Sequence, residues 1–133
     1  MNKKETIMAV LEKMGLQPEL DEDNDIMIQF QMKTIYVMVD EKSEDPYVIV
    51  MLPQFHDVEE GTETIELAVC NKMTREYKLM KVFIDQTFQS VTATCEFYYA
   101  NKKSLELSLR KSLHMLGIAR SAFRKEKADL LED

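Results

Sequence analysis

The amino-acid sequence predicts a small α+β protein in which helices pack on one antiparallel sheet. The hydrophobic period changes between helical and alternating in the order α-β-β-β-α-β-β-α. The 133 residues suit one domain, 1–133, large enough to bury about two-thirds of its unfolded surface. Neither a repeat of about 20–50 residues nor a low-complexity linker interrupts the pattern, so a second domain is not expected.

The first helix is predicted over residues 3–14, because apolar side chains recur there at helical spacing. Asn2 is a suitable N-cap for this helix. Gly15 followed by Pro18 is a stop signal, since glycine accepts the left-handed conformation that ends many helices.

Three strands are expected next, because the hydrophobic period switches to two. They span residues 26–31, 34–40 and 47–52. Pro53 is expected to end the third strand, since proline donates no hydrogen bond to a sheet.

A second helix is predicted over residues 62–75, followed by strands at 78–85 and 90–99. The five strands together predict an antiparallel meander. The last helix begins near Asn101 or Lys102. Its buried stripe is expected to contain Leu105, Leu109, Ser112, Leu113, Leu116, Ala119 and Phe123.

Strand alternation assigns two faces to the predicted sheet. The residues expected to point toward the helices are Ile28, Val37, Val50, Val82 and Cys95. The opposite face then carries a second apolar set: Met27, Tyr36, Met38, Ile49, Met51, Phe83 and Tyr98. Because such a face is too apolar to remain in water, the second helix or another subunit covers it, or it receives an extended partner segment.

Methionine usage bears on the same face, since the chain contains ten methionines. Methionine is flexible and polarizable, so it fills irregular cores and is also enriched on surfaces that accept several partners. We therefore interpret this face as a dimer or partner surface.

Local patterns in the sequence resemble one known family. They are an amphipathic first helix ending in Gly15, the hairpin IMIQFQMKTIYVMVD, the strand PYVIVMLP, the segment CNKMTREYKLMKVFID, and a last helix ending ARSAFRK. These stretches are similar to YbjN-type proteins, a family assigned to bacterial sensory transduction regulators that shares the fold of type III secretion chaperones. One difference is the hairpin connection, where Met32-Lys33 stands in place of an expected glycine turn.

The resemblance implies a type III secretion chaperone-like fold and a non-enzymatic, homodimeric protein. Such a protein handles other polypeptides or adjusts their activity. The resemblance implies no catalytic residue for this chain.

Candidate residues for metal binding are few. The acidic run 21–25 has part of the spacing of a calcium loop, but Ile26 and Met32 replace the glycine and the glutamate that such a loop needs. Cys70 and Cys95 are unclustered, so a zinc site is not expected. We expect two buried thiols, a solvated acidic loop and no cofactor.

Charge is unevenly distributed along the chain. The formal net charge is −7, yet residues 102–127 contain eight basic and two acidic residues. The favoured interpretation is a solvated basic face on the last helix, and the alternative is contact with an acidic surface of a second subunit or partner. Nucleic acid is not an expected partner, because the acidic remainder of the chain would repel it.

These patterns predict a dimeric chaperone-like or regulatory domain that binds another polypeptide in the cytoplasm. A membrane location is not expected, because neither a signal-peptide pattern nor a sufficiently long apolar stretch is present in the sequence. The alternatives are a structural adaptor and a small enzyme that uses His56 and a carboxylate. For the enzyme, Asp57 stands beside His56, but no candidate nucleophile lies close in sequence.

Overall fold

The computed structural model describes residues 2–132. Nine elements follow one another within these residues, and they are α1 (Lys3–Lys13), β1 (Glu19–Leu20), β2 (Ile26–Phe30), β3 (Lys33–Met38), β4 (Tyr47–Asp57), α2 (Glu63–Glu76), β5 (Met80–Ile84), β6 (Ser90–Tyr98) and α3 (Lys102–Glu132). The predicted α+β class and element order are confirmed, with β1 as an addition.

The six strands form one antiparallel sheet in the order β1-β2-β3-β4-β6-β5. The prediction of five strands was therefore one strand short, and the predicted meander was wrong because β4 pairs with β6 while β5 lies at the edge of the sheet. Glu19 and Leu20 of β1 pair with Met27 and Ile26 of β2. Both β1 residues are exposed, so no alternation of apolar side chains marked them as a strand.

The core lies between one face of the sheet and the three helices. Inward residues of the strands and the apolar stripes of α1, α2 and α3 form one buried cluster. All seven residues of the predicted α3 stripe are buried, which confirms that this helix packs along one continuous side. The helical period of the sequence reflects this burial directly.

Pro53 does not end β4, which continues to Asp57. The prediction was wrong because the pairing of β4 with β6 shifts between Leu52 and His56, where the three residues 53–55 of β4 lie opposite the single residue Thr92 of β6. Gln54 adopts a left-handed φ of 49° in this bulge, and its backbone N–H donates to Oγ1 of Thr92 at 3.0 Å. A bulge removes the need for a regular ladder hydrogen bond at proline.

The hairpin between β2 and β3 turns at Gln31 and Met32, with φ values of 50° and 65°. Two consecutive left-handed residues are what a tight type I′ connection requires. The chain thus makes the turn that glycine usually makes, using two residues with side chains. The Met32 side chain is fully exposed there.

The outer edge of β5 is closed by α2. Oγ1 of Thr74 accepts a hydrogen bond from the N–H of Val82 at 2.8 Å and donates to its carbonyl at 3.0 Å. One hydroxyl therefore satisfies both backbone groups that the middle of this edge strand would otherwise present to solvent.

Candidate partner-binding surface

The face of the sheet opposite the helices carries all seven residues expected at a dimer or partner surface. Met27, Tyr36 and Met51 lie side by side in adjacent strands, and the row continues through Thr94 to Lys81. A parallel row contains Met38, Ile49 and Glu96, and in the next row Tyr47 lies beside Tyr98. We call this the helix-free face, defined by Met27, Tyr36, Met38, Ile49, Met51, Phe83 and Tyr98.

Exposure differs across the helix-free face. Five of its residues, in β2, β3 and β4, are half-buried by their neighbours. Phe83 and Tyr98 are 38% and 64% exposed, so the β5–β6 side presents the most accessible aromatic surface. None of the three helices covers this face, because their buried stripes join the opposite side of the sheet. The alternative in which α2 shields it is thereby wrong.

A carboxylate lies among these apolar side chains. Glu96 forms an ion pair with Lys81 at 2.6 Å, accepts from the Thr94 hydroxyl at 3.0 Å, and also accepts from the Tyr47 hydroxyl. The pKa of Glu96 is lowered overall. Partial burial acts to raise this pKa, but the hydrogen bonds from Lys81, Tyr47 and Thr94 have the larger combined effect. The hydrogen bond to Glu96 raises the pKa of Tyr47 to about 12.

The Glu96 network joins four polar side chains by direct contacts. The alternation that assigns Tyr98 to the helix-free face also assigns Thr94 and Glu96 to it, but it does not indicate that the carboxylate pairs with Lys81 and Tyr47. The signal lay in the cross-strand register, which becomes readable only when the order of strands is known.

A second polar cluster is buried under the end of β4. Glu66 of α2 is fully buried, and its Oε1 accepts from the Glu59 N–H at 3.0 Å and the Thr62 hydroxyl at 2.9 Å. Its Oε2 lies 3.2 Å from Nε2 of His56 and 3.4 Å from Nζ of Lys127. Lys127 also donates to Glu59 at 2.9 Å.

The sequence-based view of two of these residues was wrong. Asp57, the proposed partner of His56, is exposed, and the carboxylate beside His56 is Glu66 instead. Lys127 was counted in the solvated basic face of α3 but is only 6% exposed. It lies one turn beyond Phe123, on the buried stripe, and this spacing was the available signal.

Burial lowers the pKa of His56, and the neighbouring Lys127 charge lowers it further, against the opposing effects of Glu66 and Glu59. The pKa of Glu59 is also lowered, chiefly by its hydrogen bond from Lys127. His56 is thus held neutral beside an ion pair between Lys127 and the two glutamates. This arrangement is typical of a buried ion network.

The other candidate residues have structural positions. Asp21 accepts hydrogen bonds from the N–H groups of Asp23 and Asp25, each at 2.9 Å, so its carboxylate shapes the acidic turn. Cys70 and Cys95 are free and buried, and burial raises the pKa of each thiol to about 12. Within residues 2–132, no group of three or more His, Cys, Asp or Glu side chains is placed to hold a metal ion. No helix in the described chain has the length and apolar character needed to cross a bilayer.

A groove opens where β3 and β4 separate at the border of the helix-free face. The two strands pair only over residues 36–38 and 49–51, although β3 begins at Lys33 and β4 continues to Asp57. The groove has a volume of about 460 Å³ and is lined by Met27, Met32, Lys33, Thr34, Tyr36, Leu52, Pro53, Gln54, Phe55 and Arg120. We call it the β3–β4 groove.

The sequence profile of the family described as "T3SS (YopN, CesT) and YbjN peptide-binding chaperone 1" matches residues 2–111. The chain belongs to this peptide-binding chaperone family. The resemblance to YbjN-type proteins and to type III secretion chaperones is thus confirmed. No curated protein sequence matches the chain.

Solved structures share the fold of this member of the peptide-binding chaperone family. YbjN from E. coli is 9% identical, with a TM-score of 0.68 over 96% of this chain and 93% of YbjN. A chain of the ExsC-ExsE complex is 13% identical, with a TM-score of 0.58 over 88% of this chain and 90% of that one. An uncharacterized protein from Methanothermobacter thermautotrophicus is 11% identical, with a TM-score of 0.51 and coverage of 97% and 94%.

Proposed function

We propose that the chain works as one non-enzymatic, chaperone-like or regulatory domain that binds another polypeptide through the helix-free face. The observation that carries this proposal is an apolar sheet surface without a covering helix, in a member of a peptide-binding chaperone family. Half-buried methionines suit a surface that adapts to a polypeptide, and the exposed aromatic rings of Phe83 and Tyr98 supply contact area.

Related proteins support this assignment. A structure of the same fold was solved as the ExsC-ExsE complex, so the fold is compatible with a bound partner chain. The alternative of a small enzyme receives no support from the family. In addition, the imidazole of His56 is occupied by its contacts with Glu66 and Lys127. A cytoplasmic location is part of the proposal, because a reducing compartment keeps the two buried thiols free.

Replacing both Phe83 and Tyr98 with serine is expected to abolish partner binding while leaving the fold intact, because both rings are exposed. The measurement is affinity capture from the native host with the wild-type and variant proteins. Leu107→Ser is the matched control, since Leu107 is 57% exposed on α3, away from the helix-free face. Recovery of the same polypeptide by the Phe83/Tyr98 variant would contradict the proposed surface.

We also propose that the protein is a homodimer. The two candidate surfaces for self-association are the helix-free face and the outer side of α2, where Leu67 is 56% exposed. Static light scattering is expected to give twice the chain mass at micromolar concentration. If Leu67→Ser restores a monomer and the Phe83/Tyr98 variant does not, the interface lies on α2. A monomer at every accessible concentration of wild type would end the dimer proposal.

A further inference from the structure

The β3–β4 groove combines an apolar lining with positive charge. Leu52, Pro53 and Phe55 of β4 form one side, and Met27 and Tyr36 connect the groove to the helix-free face. Its titratable side chains other than Tyr36 are Lys33 from β3 and Arg120 from α3, and both are basic. The groove is therefore a positively charged site on a protein whose net charge is −7.

Neither basic residue of the groove forms an ion pair within the described part of the chain. Lys33 donates to the carbonyl of Gln31 at 3.2 Å, which leaves its charge uncompensated. No carboxylate among residues 2–132 lies within ion-pair distance of Lys33 or Arg120. By contrast, Lys127 and Lys125 on the same helix each have an acidic partner.

We propose that the β3–β4 groove binds an acidic segment of the partner polypeptide, with Lys33 and Arg120 pairing to a carboxylate beside an apolar side chain. This inference rests on the proposed polypeptide-binding function. It adds a charge-selective contact in the groove to the apolar contact on the helix-free face. The separation of the two strands leaves an open channel that suits an extended chain. Arg120 lies beyond the residues matched by the family profile, so this contact belongs to the part of α3 outside that match.

Charge complementarity favours an acidic polypeptide over other occupants. Nucleic acid would bring many phosphates against a protein of net charge −7, whereas a peptide brings only one or two carboxylates to the groove. The apolar lining also contributes only if the occupant has apolar side chains to bury. A second copy of the chain could supply an acidic segment, and the experiment separates that case.

The test is selection of short peptides from a random display library on the immobilised full chain, followed by binding measurements on the strongest binder. The selected peptides are expected to be enriched in Asp or Glu next to apolar residues. The double variant Lys33→Gln/Arg120→Gln should weaken binding about tenfold at low salt, as expected for loss of charge-assisted contacts. Lys111→Gln, an exposed position on α3 that does not line the groove, is the matched control and should bind like wild type.

Amide replacement in the peptide completes a thermodynamic cycle. Changing its carboxylates to amides should weaken binding to wild type by the same factor and should not weaken binding to the double variant further. Selected peptides without acidic enrichment, or equal binding by the double variant, would contradict the proposal that the groove binds an acidic segment. Either result would leave the proposed role of the helix-free face unaffected. Failure to select any peptide would contradict both the groove proposal and the proposed polypeptide-binding function. Loss of a wild-type dimer in the double variant, with peptide binding unchanged, would assign the groove to a second copy and overturn the proposal.

Discussion

Replacing Lys127 with methionine is expected to lower the free energy of unfolding by about 3–5 kcal/mol, the usual cost of breaking a buried ion pair by removing one partner. Lys127 is 6% exposed, and its Nζ lies 3.4 Å from Oε2 of the fully buried Glu66. The same oxygen lies 3.2 Å from Nε2 of His56, whose pKa is lowered, so Lys127 supplies the positive charge beside this buried carboxylate. Methionine retains most of the side-chain volume, and the loss therefore reports the charge. Chemical denaturation at neutral pH measures it.

The pH dependence of this loss distinguishes it from a packing defect. His56 has a lowered pKa, so between its usual value of 6.5 and its folded value the unfolded chain binds more protons and wild-type stability falls as pH falls. Without Lys127, the pKa of His56 should rise because Glu66 then favours the imidazolium. The deficit of the variant is therefore larger at pH 8 than at pH 6. NMR titration of His56 should show the upward shift directly.

Lys125→Met is the matched control for Lys127→Met, because Lys125 is exposed on the same helix and its one ion pair among residues 2–132 is with exposed Asp129. Its cost should be below about 1 kcal/mol, as for other surface pairs. A combined Glu66→Leu/Lys127→Met chain should recover much of the loss, since it leaves no buried charge unpaired. Equal costs for Lys125→Met and Lys127→Met would contradict the buried network.

Truncating Leu116 to alanine is expected to cost about 2–5 kcal/mol, from lost transfer energy and the cavity left behind. Leu116 is fully buried on the continuous stripe of α3 that packs against the sheet. A loss of this size is a large share of a typical domain stability of about 5–15 kcal/mol. Thermal and urea denaturation should both show it as a cooperative transition at milder conditions.

Leu107→Ala provides the comparison on the same helix. Leu107 is 57% exposed, so the same chemical change removes little buried surface and should cost well below 1 kcal/mol, about the range of ordinary surface substitutions. Helix propensity is nearly matched in the two variants because both replace leucine with alanine. Similar losses at positions 107 and 116 would contradict the buried stripe.

The order of elements was predictable because helical and strand periods are local properties of the sequence. The same periods placed Val50 and Cys95 against the helices and Met51 and Tyr98 on the other face, as the structure has them. Residues two positions apart in a strand point to the same face, so the face of each residue can be inferred from its near neighbours in sequence. This inference does not require the positions of residues that are distant in sequence.

The features that were missed depend on distant partners. Glu19 and Leu20 become a strand only because an acidic turn returns the chain to β2. Pro53 remains within a strand because β4 forms a bulge there, opposite β6. Lys127 meets Glu66 across two helices, so its charge suggested an exposed position although its spacing on α3 indicated burial. The partner surface itself remains a proposal.

The hydroxyl of Thr74 has a consequence for how selective this protein is. Recognition by strand addition relies on main-chain hydrogen bonds that almost any sequence supplies, and it needs a free sheet edge. Here the outward N–H and C=O in the middle of β5 are already hydrogen-bonded to the Thr74 hydroxyl. A polypeptide that approaches this side of the sheet must therefore be distinguished by its side chains, lying across the strands, and indiscriminate capture of unfolded chains along this edge is disfavoured.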